Sequence, residues 1–424
     1  MDFITIVKEQ REELERIERE ENIVPRSGLA EAEKAVKFPN ILAVLGIRRC
    51  GKSIFSHLLV KGKNFGYVNF DDERMIGAKT EDLNEILKAF YQLYGDVEYV
   101  VLDEVQNVKG WELFANRLRR TKKVILTGSS SRLLSGELAT HLTGRHLDTT
   151  LFPFSFREFL QAKKFAQSRH YTTQEKAELL GNLDEYLENG GFPEVQKFGK
   201  RMLPAIYEDI LSKDVILRHK INKTDELKKL ARLLLTNTAQ EFTYSKAAKA
   251  VSVKHVSTIS NWVRYLEDAF LLFKLERFDF KLRQQFLAPK KAYCIDSGLV
   301  NAAGFRFSEN KGRLMENAVA VQLMRKKAPQ SQLEVYYWKD HQHNEVDFLL
   351  KKGKKVLELI QVSFANSRQE IREREIKSLL KASGALRCKS LAIITWDFEG
   401  GAKIRNRAIK FTPLWKWLLG NEPG

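Results

Sequence analysis

The run Gly46-Ile47-Arg48-Arg49-Cys50-Gly51-Lys52-Ser53, followed by Ile54, constrains this chain more than any other feature. It has the form G-x-x-x-x-G-K-[ST], follows the apolar stretch ILAVL and leads into the apolar-rich IFSHLLV, so it reads as a phosphate-binding loop between a strand and a helix. In such a loop the glycines let the backbone wrap a phosphate with its N–H groups, and the helix start adds its positive dipole end. Lys52 then reaches the β- and γ-phosphates, and Ser53 is the expected ligand of a magnesium ion. About fifty residues on, Tyr99-Val100-Val101-Leu102-Asp103-Glu104 is an apolar strand ending in two carboxylates. Asp103 is expected to hold magnesium, directly or through water, and Glu104 to orient and deprotonate an attacking water. A third strand, Lys123-Val124-Ile125-Leu126, runs into Thr127-Gly128-Ser129-Ser130-Ser131. Thr127 and Ser129 are placed to sense phosphate or the attacking water, although a serine there equally suits a helix N-cap.

The 424 residues exceed one ordinary domain and suggest two to four. No apolar run approaches the roughly 18 residues needed to cross a membrane. The charged start MDFITIVKEQREELERIERE lacks the apolar stretch and cleavage site of a secretory signal, so the expected address is cytoplasmic. Cys50, Cys294 and Cys388 are too few and too scattered for a disulfide framework or zinc cluster. The net charge of +17 is unevenly spread. Residues 221–424 hold 37 Lys+Arg against 21 Asp+Glu, net +16, while residues 1–220 hold 34 against 33, net +1. That asymmetry suits a polyanionic partner for the second half, because phosphates exchange condensed counterions for Lys and Arg. A solvated basic surface is the plainer alternative.

Changes of pattern divide the chain into five segments. Residues 1–38 are a charged helical segment. Residues 39–160 alternate β-branched runs with helical stretches, the pattern of a parallel sheet with crossover helices in an α/β fold. Residues 161–222 have helical periodicity broken at Asn189-Gly190-Gly191 and Pro193 and are expected to form a helical lid. Residues 223–285 suggest short helices and a hairpin, and residues 286–424 a separate α/β unit.

The order GIRRCGKS, YVNFDDER, VVLDEVQ, LTGSSSRLLSGE, LTGR, LFPFSFREFL and ENGGFPEV resembles the archaeal and bacterial AAA-type ATPases that carry a C-terminal domain of uncharacterised function. The resemblance covers nearly the whole chain. It implies an AAA+ ATPase that uses ATP and magnesium and works as a homo-oligomer in which one subunit's arginine completes another's site. Arg145, in Leu142-Thr143-Gly144-Arg145, matches the place of that arginine finger, and a salt bridge to a local carboxylate would also account for it.

In the basic half, Ser245–Val251, a turn at Ser252-Val253-Lys254-His255 and a longer helix from Val256 fit a helix-turn-helix. Val256, Ile259, Val263 and Leu266 share one face of that helix, leaving Ser257, Thr258, Asn261 and Arg264 outward to touch DNA. The strand-like LLFKLERFDFKLRQQF would be a wing offering Lys274, Arg277, Lys281 and Arg283 to phosphates. A winged helix used only for internal packing has the same pattern. From Lys311 the order α-β-β-β-α-β resembles the restriction-endonuclease core. That resemblance puts Glu316 and Asp347 on two metal-ligand places and Gln361 on a third, where a glutamate is required, with Ser363 in place of the lysine. Gln361 and Ser363 fall on one strand face. Both replacements weaken metal-assisted cleavage, so a DNA-binding relic is preferred to a working nuclease.

The sequence therefore points to an ATPase acting on DNA, with branched or forked DNA as one substrate and no membrane role. The alternatives are an ATP-dependent nuclease in genome defence and an ATP-driven switch acting on a protein partner.

Overall fold

The computed structural model describes all residues except 135–141, 143, 169, 304–310, 331 and 421–424. Part of the LLSGE motif and Thr143 of the Leu142–Arg145 motif thus lie outside the described residues. The chain forms two compact units, Met1–Phe152 with Asp268–Phe270, and Pro153–Glu267 with the chain from Leu271 onward.

The first unit runs α1 (Phe3–Glu20), α2 (Leu29–Ala35), β1 (Ile41–Leu45), α3 (Lys52–Val60), β2 (Phe65–Asn69), α4 (Asp82–Tyr94), β3 (Tyr99–Asp103), α5 (Trp111–Leu118), β4 (Lys123–Gly128) and β5 (His146–Thr150). Its strands pair in the order β2-β3-β4-β1-β5, all parallel. β1 and β3 are buried at every position, as strands covered on both faces are, which is why their apolar residues follow one another rather than alternate. Placing β4 between β1 and β3 brings the carboxyl ends of three strands side by side, the crevice where open α/β sheets bind ligands. Helix α1 starts from an Asp2 side chain that accepts the Thr5 N–H and buries Ile6, Val7, Gln10 and Leu14. Gln10 prolongs the β2 edge as a strand would: its Oε1 accepts the Asn69 N–H at 2.9 Å, and its Nε2 donates to Asn69 O at 3.1 Å and to Asp72 at 2.8 Å.

The second unit begins with α6 (Phe156–Ala162), α7 (Thr173–Asn189), α8 (Pro193–Phe198) and α9 (Leu203–Asp209), which runs on as a wider helical turn over Ile210–Leu217. Helices α6 and α7 each start from a reciprocal box, Ser155 with Glu158 and Thr172 with Glu175, which satisfies N–H groups the first turn leaves unpaired. The break at Asn189-Gly190-Gly191 is a docking point. The Asp296 carboxylate accepts the Gly191 N–H at 2.7 Å and the Gly298 N–H at 2.9 Å. Any Cβ at Gly190 would stand 1.8 Å from Asp296 Oδ1, so this position has to be glycine.

There follow α10 (Thr224–Thr236), β6 (Glu241–Phe242), α11 (Tyr244–Ala250), α12 (Val256–Asp268), β7 (Leu272–Glu276), α13 (Leu282–Leu287) and β8 (Lys290–Cys294), with the three strands in the order β6-β8-β7, antiparallel throughout. Three details differ from the sequence reading. Residues 282–287 are helical instead of extended: the Asp279 carboxylate accepts the Lys281 N–H in the turn before the helix, and the Lys281 carbonyl accepts the Gln284 and Gln285 N–H groups. Val256, the first residue of α12, is exposed, and Trp262 joins Ile259, Val263 and Leu266 on the buried face. Strand β8 completes this small sheet, so the expected boundary at 285 falls inside a hairpin.

The remainder is α14 (Ser297–Ala303), α15 (Lys311–Lys327), β9 (Leu333–Lys339), β10 (Glu345–Lys352), β11 (Lys355–Val362), α16 (Glu373–Leu386), β12 (Leu391–Thr395), β13 (Gly400–Ile404), β14 (Arg407–Pro413) and α17 (Leu414–Gly420). The six strands lie in the order β13-β14-β12-β11-β10-β9, with β11-β12 and β12-β14 parallel and the other pairs antiparallel. Among the described residues no helix is long and apolar enough to cross a membrane.

Candidate functional site

The loop after β1 is shaped by close approach. A Cβ at Gly46 would meet the Leu151 carbonyl oxygen at 2.1 Å, and the Leu151 N–H bonds Leu45 O at 2.7 Å. The far side of the loop is held by Arg26, a buried guanidinium that donates from Nη1 to Cys50 O at 2.8 Å and from Nη2 to Phe152 O at 2.5 Å. Sequence reading gave Arg26 no role, since nothing local marks it as a partner of residues 24 and 126 positions away.

Lys52 and Ser53 open α3, and the Lys52 ammonium lies 3.1 Å from Glu104 Oε1 and 3.2 Å from Ile47 O. The cation of the loop and the carboxylate after β3 are thus one constellation. Asp103, fully buried at the end of β3, is surrounded by hydroxyls: Tyr67 donates to Oδ2 at 2.6 Å, Thr127 donates to Oδ1, and Ser53 adds a third side-chain hydrogen bond. Burial and the neighbouring Glu104 carboxylate push Asp103 up, while those three donors pull it back. For Glu104 burial acts in the same upward direction, but Lys52, Arg48 and Gln106 outweigh it and bring the carboxyl to about 2, so it stays ionised. Burial would lower Lys52, and Glu104, Cys50 and Asp103 more than offset it. Glu104 has a left-handed backbone (φ 50°), uncommon for a residue with a side chain, and its N–H bonds the Thr127 hydroxyl at 2.9 Å.

Thr127 is therefore engaged in positioning both carboxylate residues, and Ser129 beyond it is buried. Arg48 pairs with Asp71 at 2.8 Å, giving the NFDDER segment a structural tie to the loop. Tyr67, which sequence reading passed over, is one strand away from Asp103, and its only local sign was a hydroxyl on a buried strand. Arg145 precedes β5, and its carbonyl accepts the Ile41 N–H at 2.9 Å. It sits at the amino end of β1, the loop at the carboxyl end, roughly 13 Å apart at the usual rise of a strand. Arg145 does not join its own chain's site.

Of the residues read as nucleic-acid contacts, Ser257, Asn261 and Arg264 are exposed on α12, with Arg264 bonded to Asn261 at 3.2 Å. Lys281 and Arg283 are exposed at the start of α13. Arg277 lies just past β7 and bridges Tyr337 of β9. Lys274 is a correction: it is paired with Glu267 and partly buried, which satisfies its charge internally.

Glu316 on α15, Asp347 on β10 and Gln361 on β11 do come together, around a cation the sequence reading missed. Lys291 of β8 is almost fully buried, with its ammonium 3.0 Å from Glu316 Oε1, 2.7 Å from Glu345 Oε1 and 3.3 Å from Asp347 Oδ1. The Tyr293 hydroxyl donates to Glu316 Oε1 at 2.7 Å. Asp347 Oδ2 accepts the Gln361 Nε2–H at 2.7 Å and the Val362 N–H at 2.9 Å. Ser363 bonds Glu375 of α16 instead and takes no part in the cluster. Burial and the Glu316 carboxylate push Asp347 up to about 8, opposed by Lys291 and the Val362 N–H. The one hint in the sequence was a lysine leading directly into the apolar run AYCI.

The tetrapeptide Asn222-Lys223-Thr224-Asp225 has the Asn-Lys-x-Asp order of guanine-reading loops, but it opens α10 in the second unit and follows no strand of the five-stranded sheet.

Residues 39–160 match the family model described as an AAA domain, residues 180–310 a domain of unknown function (DUF8612) and residues 311–414 a domain of unknown function (DUF4143). The chain is 36% identical over 401 residues to an uncharacterized protein of Methanocaldococcus jannaschii, covering 90% of this chain and 89% of the relative. It is 30% identical over 347 residues to an uncharacterized protein of Haemophilus influenzae, covering 76% and 82%. Among solved structures, the Walker-type ATPase of Pyrococcus abyssi overlays with a TM-score of 0.44 at 14% identity, covering 67% of this chain and 97% of that one. Cdc6p of Pyrobaculum aerophilum overlays with a TM-score of 0.28 at 12% identity, covering 66% and 94%.

Proposed function

The chain belongs to the family of its Methanocaldococcus and Haemophilus relatives, with an AAA domain at residues 39–160, and from that premise we propose that it binds ATP with magnesium and hydrolyses it in order to act on DNA. The observation that carries the proposal is the constellation of Lys52, Glu104 and Asp103 where the carboxyl ends of β1, β3 and β4 meet. The loop from Gly46 to Ile54 would cradle the phosphates through its N–H groups, with Lys52 supplying the countercharge. Ser53 and Asp103 are two hard oxygen donors already in hydrogen-bond contact, which fits them to hold magnesium. When bound, that ion neutralises charge building on the phosphates. Glu104, ionised and oriented by Lys52 and Gln106, would take the proton of the attacking water. Tyr67 and Thr127 hold Asp103 in place. Arg145 lies at the opposite end of β1, which supports an arginine finger that would act on a neighbouring subunit of a homo-oligomer.

Within the second unit, residues 161–222 are proposed as the helical lid and the segment from 223 through β8 as a winged helix. The order α10-β6-α11-α12-β7-β8, with β8 central in its sheet, supports that reading. The order α15-β9-β10-β11-α16-β12 supports an endonuclease-like domain after it. The net charge of +16 on residues 221–424 and the exposed Ser257, Asn261, Arg264, Lys281 and Arg283 favour DNA as the partner. One observation favours a protein partner instead: Phe280, Leu282, Phe286 and Leu287 are each more than 60% exposed at the tip between β7 and β8.

The test is ATP turnover by the purified chain without DNA and with single-stranded, duplex and junction DNA in parallel. Lys52→Ala should lose nucleotide binding, and Glu104→Gln should bind ATP but turn it over at least about a hundredfold more slowly. Full-rate hydrolysis by Glu104→Gln refutes the assignment of the base. Turnover indifferent to every DNA, together with no DNA binding, refutes the DNA reading in favour of the protein partner.

A further inference from the structure

The carboxylate cluster of the second unit sits where an endonuclease-like core would hold a divalent metal, and its details do not fit one. A metal site needs lone pairs converging on an open point. Here the point is taken by the Lys291 ammonium, within 3.3 Å of three carboxylates on two elements. Asp347 Oδ2 is already saturated by two N–H groups. Gln361 turns its amide N–H toward Asp347 and leaves its own Oε1 without a partner, the reverse of how an oxygen ligand beside a shared cation is oriented. Among the described residues no group of three or more His, Cys, Asp or Glu is arranged to hold a metal ion.

We propose that Lys291 is the resident cation of this cluster: a covalently tethered ammonium in the place of a divalent metal, making the domain metal-independent and fastening the small β6-β8-β7 sheet to α15 and β10. The contacts support the assignment. Lys291 touches Glu316, Glu345 and Asp347 at once, and Lys339 meets Glu345 from a second side, 3.2 Å from its Oε2. Lys339 in turn reaches Glu241 of β6 at 2.6 Å, and the Tyr337 hydroxyl donates to Pro289 O at 2.6 Å and bonds Glu241 at 3.0 Å. The ion cluster is therefore the centre of a continuous seam between the two sheets. Asn317, next to Glu316, extends the seam by pairing with both backbone groups of Cys294, at 2.8 and 3.0 Å. A lysine also explains why glutamine is suitable at 361: with only a monovalent charge at the centre, a neutral donor to Asp347 stands where another carboxylate would repel those already there.

The metal-independence of the cluster does not rest on nucleotide hydrolysis and is tested without ATP or DNA, so its failure is separate from failure of the proposed function. The probe is Mn²⁺ added to nucleotide-free, chelator-stripped full-length protein, with free Mn²⁺ read by electron paramagnetic resonance and folding by thermal melting. Wild-type protein should show no Mn²⁺ site that Asp347→Asn removes, and its melting should be the same in EDTA and in Mn²⁺. A stoichiometric wild-type site lost in Asp347→Asn overturns the proposal, because the metal would then displace the lysine. Lys291→Met keeps the stem and removes the charge. If it folds, it should gain one Mn²⁺ site that a second change, Asp347→Asn, abolishes, and a folded Lys291→Met that binds no Mn²⁺ overturns the claim that the lysine excludes the metal. Should that variant not fold, the wild-type comparison decides alone.

Discussion

Replacing Arg26 by methionine is the sharpest test of how the phosphate loop is held. The change keeps the buried apolar stem but removes two charge-assisted hydrogen bonds, to Cys50 O and to Phe152 O. Hydrogen bonds to charged groups contribute about 1.5–3 kcal/mol each, and the carbonyls left behind are in a buried region. Allowing for partial rehydration, the loss is about 3 kcal/mol. For a unit of this size 1 kcal/mol moves the melting midpoint by roughly 2–4 °C, so a fall of about 6–12 °C is expected in the transition that responds to nucleotide. Nucleotide affinity should fall as well, by about tenfold if reordering the loop around Cys50 costs about 1.4 kcal/mol on binding. Differential scanning fluorimetry and titration with a fluorescent ATP analogue measure the two effects. Arg26→Lys carries one ammonium, which cannot meet the two carbonyls as a forked guanidinium does, and should recover half the loss at most. If Arg26→Met melts within about 1 °C of the wild type, a margin of about 0.5 kcal/mol, and binds nucleotide equally well, the loop is held by something else.

Two further outcomes are expected. Neutralising Lys281 and Arg283 together should weaken binding to all DNA sequences alike and flatten the salt dependence by about one unit of slope for each phosphate no longer neutralised, measured by fluorescence anisotropy across a salt series; a salt-independent affinity would refute the electrostatic reading. Mixing Arg145→Ala with Lys52→Ala should restore part of the ATPase activity that each lacks alone, and no recovery in a demonstrably mixed oligomer counts against an arginine acting between subunits.

What was legible in the sequence followed contiguity. Gly46 to Ser53, and Asp103 with Glu104, could be read because each motif is a few adjacent residues at the end of an apolar strand, so chain order alone puts them at the same edge of a parallel sheet. Their supports could not be read so. Arg26 and Tyr67 act on backbone or carboxylate groups far along the chain, and which strand neighbours which is a matter of sheet order, which β4 entering between β1 and β3 decides. Glu316, Asp347 and Gln361 could be brought together from the order of elements, but the cation among them, Lys291, could not. It comes from β8, a strand of another sheet, because a buried charge needs only spatial proximity to its partners. Periodicity failed at two points for local reasons. Val256 begins its helix, where the first turn extends past the core, and the run after Arg277 alternates like a strand although Asp279 turns the chain at Lys281 and a helix follows.

Helix α6 has a practical consequence for dividing this protein. The match to the AAA domain ends at residue 160, which makes that position the natural place to cut. Yet Phe156, Phe159 and Leu160 are fully buried in the hydrophobic core of the second unit, against Leu183, Tyr186 and residues as distant as Leu414. A polypeptide ending at 160 would carry three large apolar side chains into solvent with nothing to cover them, and one starting at 161 would leave the matching cavity open at the other end. Cutting at the Phe152–Pro153 bond avoids both defects, and soluble expression of the two pieces from that point, against aggregation from the point eight residues later, would identify α6 as the second unit's own first helix.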